Sequence, residues 1–431
     1  MSRLDELMAQ LCPEGVEYKT ISELFHTKNG YTPSKHNPRF WEGGTIPWFR
    51  MEDIRQNGSV LSDSIQHITP DAVKGELFPE NSIIVATSAT IGQHALLTCK
   101  SLANQRFTYM VLKDKWKTAF DIKFIFYYCY KLDEWCLSHL NQGNFASVDM
   151  KQFSSFRFPL PPLPVQREIV RILDNFTELT AELTAELTAR KQQYEFYRDL
   201  LLDFGESSDN GIIGSRKQEA GSRLTALWSD VEWRTLGEIA TDMYRGSGIK
   251  KDDVMETGMP CVRYGEIYTK YGEWFDVCVS HSMPEKVASP KYFEHGDILF
   301  AITGESVEDI AKSTAYVGHE KCLAGGDIVV MKHNQDPKYI SYALSTTNAR
   351  MQKGAGKVKS KVVHSSIPSI RDIKIPVPPL HVQREIVRIL DRFNTLCTDI
   401  SEGLPAEIEA RCKQYEYYRD KLLDFPAKKA A

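Results

Sequence analysis

Apolar side chains recur three or four positions apart through two long stretches of this chain. In the first, Ile169, Ile172, Phe176, Leu179, Leu183, Leu187, Tyr194, Tyr197 and Leu201 form one stripe. In the second, Ile386, Ile389, Phe393, Leu396, Ile400, Leu404, Ile408, Tyr415, Tyr418 and Leu422 do the same. That period is helical. Prolines 159, 161, 162 and 164, and prolines 376, 378 and 379, precede the two stripes. Their fixed φ and missing N–H suit an extended lead-in rather than a helix interior. At 1.5 Å per residue, about 40 helical residues reach roughly 60 Å, more than a small domain hides, so each stripe needs a partner helix. The simplest arrangement is an antiparallel pair of long helices in a coiled coil with a globular domain at each end. Gly403 and Pro405 are expected to kink the second helix.

The two stripes are copies. Pro161 to Phe176, PPLPVQREIVRILDNF, matches Pro378 to Phe393, PPLHVQREIVRILDRF, at 14 of 16 positions. Ala189 to Phe204, ARKQQYEFYRDLLLDF, matches Ala410 to Phe425, ARCKQYEYYRDKLLDF, at 12 of 16. A fainter echo opens each half, VEYKTISEL from Val16 and VEWRTLGEI from Val231. Between the copies the halves are nearly unrelated, apart from short apolar parallels that read as strands: TIPWFR (45–50) beside MPCVRY (259–264), and NSIIVAT (81–87) beside GDILFAI (296–302). The chain is a tandem of two half-molecules. The expected layout is a globular domain over 1–160, a long helix over 161–204, a polar linker over 205–229, a second domain over 230–377, a second helix over 378–425 and a tail over 426–431. The fold class expected is α+β, with two domains of similar fold and dissimilar surfaces.

Composition changes the picture in two ways. No apolar run approaches a membrane span and the charged start, MSRLDELMAQ, has no leader-like core, so the expected address is the cytoplasm. Nine cysteines with no C-x-x-C pair argue against a disulfide framework or a zinc ribbon, and no metal site is expected. The net charge of −4 does not advertise a polyanion binder, so any nucleic-acid face must be local. One segment fits: Lys353 to His364, KGAGKVKSKVVH, carries four lysines and no acid. A solvated loop is the other reading of the same residues.

Signatures of chemistry are missing from the chain. GAGKVKS from Gly354 lacks the glycine spacing of a phosphate-binding motor loop, and NPRF at Asn37 lacks the second proline of an amino-methyltransferase motif. Asp297 and Glu305 approach a nuclease pattern, but Val307 stands where its lysine should be. No catalytic residue is assigned.

The repeated blocks carry an identity. A Pro-Pro-Leu lead-in, then Gln166, Ile169 and Ile172 (Gln383, Ile386 and Ile389 in the second copy), then a helix ending YRDxLL, resembles the repeated regions of type I restriction-modification specificity subunits. The TAEL tetrapeptides at 180–183 and 184–187 resemble the spacer repeats of some of those subunits, and NGYTPSKHNPRFWEGGTIPW from Asn29 is similar to the Gly-x-Thr-Pro opening of a target recognition domain. The second half departs from that opening, with YRGSGIKKDD from Tyr244. The resemblance implies two target recognition domains, each reading half of a bipartite, asymmetric site in double-stranded DNA. It further implies two methyltransferase subunits and motor-nuclease subunits as partners, with S-adenosylmethionine and ATP bound only by those partners. A protein-interaction scaffold that reads no DNA is the alternative.

Base reading favours Arg on guanine and Asn or Gln on adenine, with Ser, Thr and Lys on phosphates. Candidates in the first domain are Asn29, Tyr31, Thr32, Ser34, Lys35, Arg50, Ser88, Thr90, Gln93, Gln105 and Arg106. In the second they are Arg245, Lys250, Lys251, Arg263, Tyr264, Thr303, Glu305 and Ser306, with Lys357, Lys359 and Lys361 as phosphate clamps. The helix residues Arg167, Glu168, Arg171 and Asp174, repeated as Arg384, Glu385, Arg388 and Asp391, could form an exposed docking face for methyltransferase subunits; intrahelical ion pairing is the other reading. Between the matched blocks the first half has 12 residues (177–188) and the second 16 (394–409), a difference of one tetrapeptide. One TAEL unit is thus expected to act as a ruler step that alters the unspecified DNA spacer by about one or two base pairs; a low-complexity helical filler is the other reading.

Overall fold

A computed structural model describes residues 2–141, 146–204, 231–355, 362–398 and 404–428. The chain divides into two compact units, Met1–Glu182 with Ile408–Ala431, and Leu183–Glu407. The long helix Leu163–Leu201 is uninterrupted and contributes its first part to one unit and its remainder to the other.

The first unit holds a five-stranded sheet in the order Phe25–Asn29, Phe107–Leu112, Ser82–Ala86, His94–Leu97, Val60–Leu61. A three-stranded sheet of His67–Ile68, Ile46–Phe49 and Leu102–Ala103 packs beside it. The second unit repeats this plan: Ala240–Arg245, Ile328–His333, Ile298–Ala301, Ser313–Tyr316 and Trp274–Phe275 form its larger sheet. Ser280–Ser282, Met259–Val262, Cys322–Ala324 and Tyr292–Phe293 form the smaller one. The two strand parallels legible in the sequence thus fall on equivalent strands. Ser82–Ala86 and Ile298–Ala301 are buried along their whole lengths, as expected for central strands covered on both faces.

The opening echo is a repeated clasp. Glu17–Thr20 pairs antiparallel with Arg157–Leu160, and Glu232–Thr235 with Lys374–Val377. Each first strand ends in a threonine that caps a helical turn: Thr20 with Glu23 and Thr235 with Glu238 form reciprocal capping boxes. The clasp ties the start of each domain to the proline lead-in of the following helix.

The repeated helix motif is a lock between helix and domain. Gln166 is fully buried; its Oε1 accepts from the Asp121 N–H (2.8 Å) and its Nε2 donates to the carbonyls of Ala119 (2.9 Å) and Pro161 (2.7 Å). Gln383, also fully buried, accepts from the Asp336 N–H (3.0 Å) and donates to Gln335 Oε1 and the Pro378 carbonyl, each at 2.7 Å. About two turns further on, Asp174 accepts from Lys123 Nζ and the Tyr127 hydroxyl, both at 2.7 Å. Asp391 does the same with Lys338 Nζ (2.8 Å) and the Tyr342 hydroxyl (2.6 Å).

Each unit also contains a helix pair. In the first, the chain enters the pair at Leu163 and leaves it near Phe425, and Val165, Ile169, Leu423 and Phe425 share one core with the domain, so the segments run in opposite directions. Phe176 stacks on Tyr418 there at 5.6 Å. In the second unit Tyr194, Leu201, Ile386 and Leu390 share the domain core, and Tyr197 stacks on Phe393 at 5.9 Å. These are the same two motif positions with roles exchanged. The second helical region is described as Leu380–Thr398 and Leu404–Leu422; the expected kink at Gly403 and the expected linker over 205–229 lie outside the described residues. Among the described residues no helix is long and apolar enough to cross a membrane.

Candidate nucleic-acid interface

In the first domain the candidate residues gather where the strands of both sheets end. The chain leaves Phe25–Asn29 through Gly30, whose N–H donates to the Phe107 carbonyl (3.0 Å), while the Tyr31 N–H donates to the Ala103 carbonyl (2.8 Å). A Cβ at Gly30 would collide with the carbonyls of Ala103 and Asn104, so only glycine brings this loop so close to the neighbouring strand. The approach brings the Thr32 hydroxyl to Gln105 Oε1, and Trp48 Nε1 donates to the Tyr31 carbonyl at 3.0 Å. Asn29 Oδ1 accepts from Thr108 Oγ1 (2.9 Å), whose hydroxyl also meets that of Thr87 (2.8 Å). The Thr87 N–H donates to the Arg106 carbonyl at 3.0 Å, which places the Ser88–Gln93 loop at the same end.

Not every candidate is free to meet a ligand. Lys35, Gln105 and Arg106 are exposed; Ser34 is exposed too, and its carbonyl accepts from Trp41 Nε1. Ser88 bridges Ser147, Thr90 lies half-buried in the same loop, and Gln93 has its Oε1 buried with no hydrogen-bond partner among the described residues. Ala89 adopts a positive φ of 65°, a conformation that costs a non-glycine residue energy and that turns the loop back on itself.

The second domain builds the same corner from different residues. The Gly246 N–H donates to the Ile328 carbonyl (2.8 Å) and the Ser247 N–H to the Ala324 carbonyl (2.9 Å), and a Cβ at Gly246 would collide with the carbonyls of Ala324 and Gly325. Gly246-Ser247 therefore stands where Gly30-Tyr31 stands, which resolves the departure of YRGSGIKKDD from the Gly-x-Thr-Pro pattern. Arg245 is tied to this corner, with Nε on the Gly326 carbonyl and Nη2 on Asp327 Oδ1, each at 2.5 Å. Lys250 and Lys251 are exposed at a short 3-10 turn, and Tyr264 is exposed beside Arg263. Thr303 Oγ1 meets His364 Nδ1 at 3.2 Å, Glu305 is exposed, and Ser306 Oγ bonds Asp309 Oδ2 at 3.1 Å. Thr303–Gly304 pairs antiparallel with Val363–His364; Lys357, Lys359 and Lys361 lie outside the described residues.

Residues 13–190 and 229–410 each match the family described as the type I restriction modification DNA specificity domain. This chain belongs to the type I restriction-modification DNA specificity family. The family's double match follows the sequence repeat, one copy per half. Over 414 residues, 93% of each chain, it is 37% identical to the type I restriction enzyme EcoprrI specificity subunit of Escherichia coli. Over 319 residues, 71% of each chain, it is 33% identical to the EcoR124I/EcoR124II specificity subunit of the same species. A chain from a solved structure on complex assembly and conformational transition of the type I R-M system shares the fold, with a TM-score of 0.61 at 15% identity over 95% of this chain and 98% of that one.

The helix candidates are placed less uniformly than a single exposed docking face requires. Arg167, Arg171, Arg384, Glu385 and Arg388 are exposed. Glu168 is buried at 5% and its carboxylate is held below the usual range by Arg171, which bonds it at 2.7 and 3.0 Å. Asp174 and Asp391 face their own domains, where an ammonium and a tyrosine hydroxyl claim them. Glu168 is thus taken up by Arg171 and by Arg3 of the opening helix Arg3–Leu11 (3.8 Å), and Asp174 and Asp391 by the domain helices Ile122–Ser138 and Pro337–Ser345, which turns these three acids away from a single exposed docking face. The spacing of Glu168 and Arg171, and of Glu385 and Arg388 (2.6 and 2.9 Å), also realises the intrahelical pairing.

Sequence reasoning passed over the acids that hold the candidate arginines. The Arg50 N–H donates to Asp53 Oδ2 at 2.6 Å, and the Arg263 N–H to Glu266 Oε2 at 2.9 Å. Both acids are buried. The signal was legible as an Arg followed by an acid three residues on, RMED (50–53) and RYGE (263–266), right after the paralleled strands.

Proposed function

We propose that this chain is the DNA-recognition subunit of a type I restriction-modification complex, its two domains each reading one half of a bipartite, asymmetric duplex site. The single observation that carries this is the repeated corner. Two domains of one topology hold polar loops at the same strand ends through the same glycine approach, yet line them with different residues: Tyr31, Thr32, Asn104, Gln105 and Arg106 in one, Ser247, Gly248, Gly325, Gly326 and Asp327 in the other. Equal scaffolds with unequal lining suit two different base sequences. The repeated helices suit two copies of one partner, a methyltransferase subunit, with motor-nuclease subunits completing the restriction enzyme. In this reading S-adenosylmethionine and ATP are bound by those partners, the chain itself carries no reaction, and the complex works in the cytoplasm.

The test is salt-dependent binding to a duplex containing the site, using the chain complexed with its methyltransferase. Phosphate neutralisation makes log K fall steeply with log salt, and base reading adds a preference of about 10³-fold or more over unrelated duplex. A salt-insensitive complex with no duplex preference would instead support a protein-only scaffold.

A further inference from the structure

Arg50 and Arg263 occupy one position in two domains whose other loop residues differ. Each directly follows the strand that pairs in parallel with Leu102–Ala103 in the first domain and Cys322–Ala324 in the second, which with the residues after them form a shelf, Phe49 lying opposite Ala103 and Val262 opposite Ala324. The next shelf residue closes the register in both: the Asn104 N–H donates to the Phe49 carbonyl at 3.0 Å and the Gly325 N–H to the Val262 carbonyl at 2.9 Å. Among the shelf and loop candidates, arginine is the side chain the two corners keep in common at this place.

The position is built to hold a guanidinium still. Each arginine's backbone is fixed by the buried acid three residues on, and that acid is itself anchored from a second element. Asp53 Oδ1 accepts from the Ile65 N–H at 2.6 Å, and Glu266 Oε1 from Ser280 Oγ at 2.6 Å. In the second domain Glu266 also takes Arg263 Nε and Nη2, at 3.3 and 3.2 Å. In the first, Arg50 Nη2 lies 2.8 Å from Glu52 and the guanidinium lies 5.9 Å from the Trp48 ring. About a third of each side chain remains exposed, 30% and 33%. A phosphate clamp gains little from such fixing, whereas a base edge demands two N–H groups in a set direction. Arg263 keeps three of its five N–H groups after Glu266 has taken two. It borders an open cavity of about 730 Å³ that Gly248, Gly325 and Gly326 also line, and Gly325 lies directly against it, since a Cβ there would come within 3.2 Å of the Arg263 Cα.

We infer that Arg50 and Arg263 are the equivalent guanine readers of the two domains, each donating a pair of N–H groups to O6 and N7 of one guanine in its own half-site. Asp53 and Glu266 are positioning residues that act through them. The inference rests on the DNA-reading function proposed above and names one base in each half of the site. The flanking bases differ between halves because the neighbouring shelf does.

The experiment uses the chain assembled with its methyltransferase subunit and a duplex whose site has been read by methylome sequencing. Competition binding is measured against every single base-pair change and against 7-deazaguanine at each guanine, for the unaltered chain and for R50K and R263K. Loss of one guanine in each half-site is expected to cost the unaltered complex about 10- to 100-fold, as is removal of its N7. R263K is expected to erase that penalty at its own guanine alone, and R50K at the guanine of the other half. An R263K complex that binds all duplexes more weakly but keeps every discrimination would overturn the inference and make Arg263 a phosphate contact. Since removing Arg263 leaves Glu266 short of a partner, the 7-deazaguanine series on the unaltered protein stands independently: no cost at any guanine overturns the inference even if the variants fail to fold. A complex with no sequence preference at all refutes the DNA-reading function itself, a different outcome from either.

Discussion

Inserting one further TAEL unit after Leu187 tests whether the helix sets a distance. The helix runs unbroken from Leu163 to Leu201 through both existing units, so four added residues lengthen the helical path between domains by about 6 Å. They also rotate the following residues by about 40° beyond a full turn. That rotation is small enough to keep Tyr194, Tyr197 and Leu201 on the face where Tyr197 stacks on Phe393. Two residues, Ala-Glu, would turn the same stripe by about 200° and present its polar side instead. On duplex DNA, with a rise of ~3.4 Å per base pair, 6 Å corresponds to between one and two base pairs. Methylation mapping in cells that express each variant with its methyltransferase is the assay. The TAEL insertion should leave both half-sites unchanged and widen the spacer by one or two base pairs, and deletion of one unit should narrow it. The Ala-Glu insertion should abolish methylation. An unchanged spacer in the TAEL variant, or an Ala-Glu variant that methylates normally, would refute the reasoning.

Three further expectations follow from the geometry. Gln166→Leu removes a side chain that satisfies three buried backbone groups, at about 1 kcal/mol net each, so stability measured by urea unfolding should fall by about 3 kcal/mol. Gln383→Leu should cost a similar amount, and the double variant about the sum, since each glutamine bonds only within its own unit; a loss under ~1 kcal/mol in either would show the lock to be incidental. Lys353 is buried and donates to Ser313 Oγ at 3.1 Å, and burial lowers its pKa from 10.5 to about 7. Across that window the unfolded chain holds a proton that the folded chain has released, so stability rises with pH from about 7 towards 10 and the cost of charging Lys353 is fully felt below 7. Lys353→Met should flatten that rise by up to one proton, ~1.4 kcal/mol per pH unit, when melting temperature is followed against pH; an unchanged profile would contradict it.

The repeat makes much of the architecture legible in the sequence. Two near-identical helical blocks forced two domains of one fold, and the apolar parallels at 81–87 and 296–302 do lie on equivalent central strands. Partners distant in sequence were not legible. Gln166 and Asp174 read as family signature and docking face, yet their partners, Asp121, Lys123 and Tyr127, lie 45 to 51 residues earlier, and the recurrence of that spacing as Asp336, Lys338 and Tyr342 does not by itself say what these residues meet. Periodicity assigns a residue to a face of its helix but does not say which element covers that face. The second domain's opening was obscured for a related reason. YRGSGIKKDD shares only its glycine with the first domain's pattern, and the role of that glycine is visible only in its closeness to the shelf strand. The acids at 53 and 266 show the opposite case, a spacing present in the sequence whose meaning depends on burial.

In the proposed function, two unlike heads on repeated helices read two separate stretches of one duplex. Methylome sequencing of cells expressing this chain with its methyltransferase subunit tests it most directly. A single interrupted, non-palindromic motif that vanishes when the chain is omitted is the predicted result. An uninterrupted or palindromic motif, or methylation indifferent to the chain, would contradict the claim.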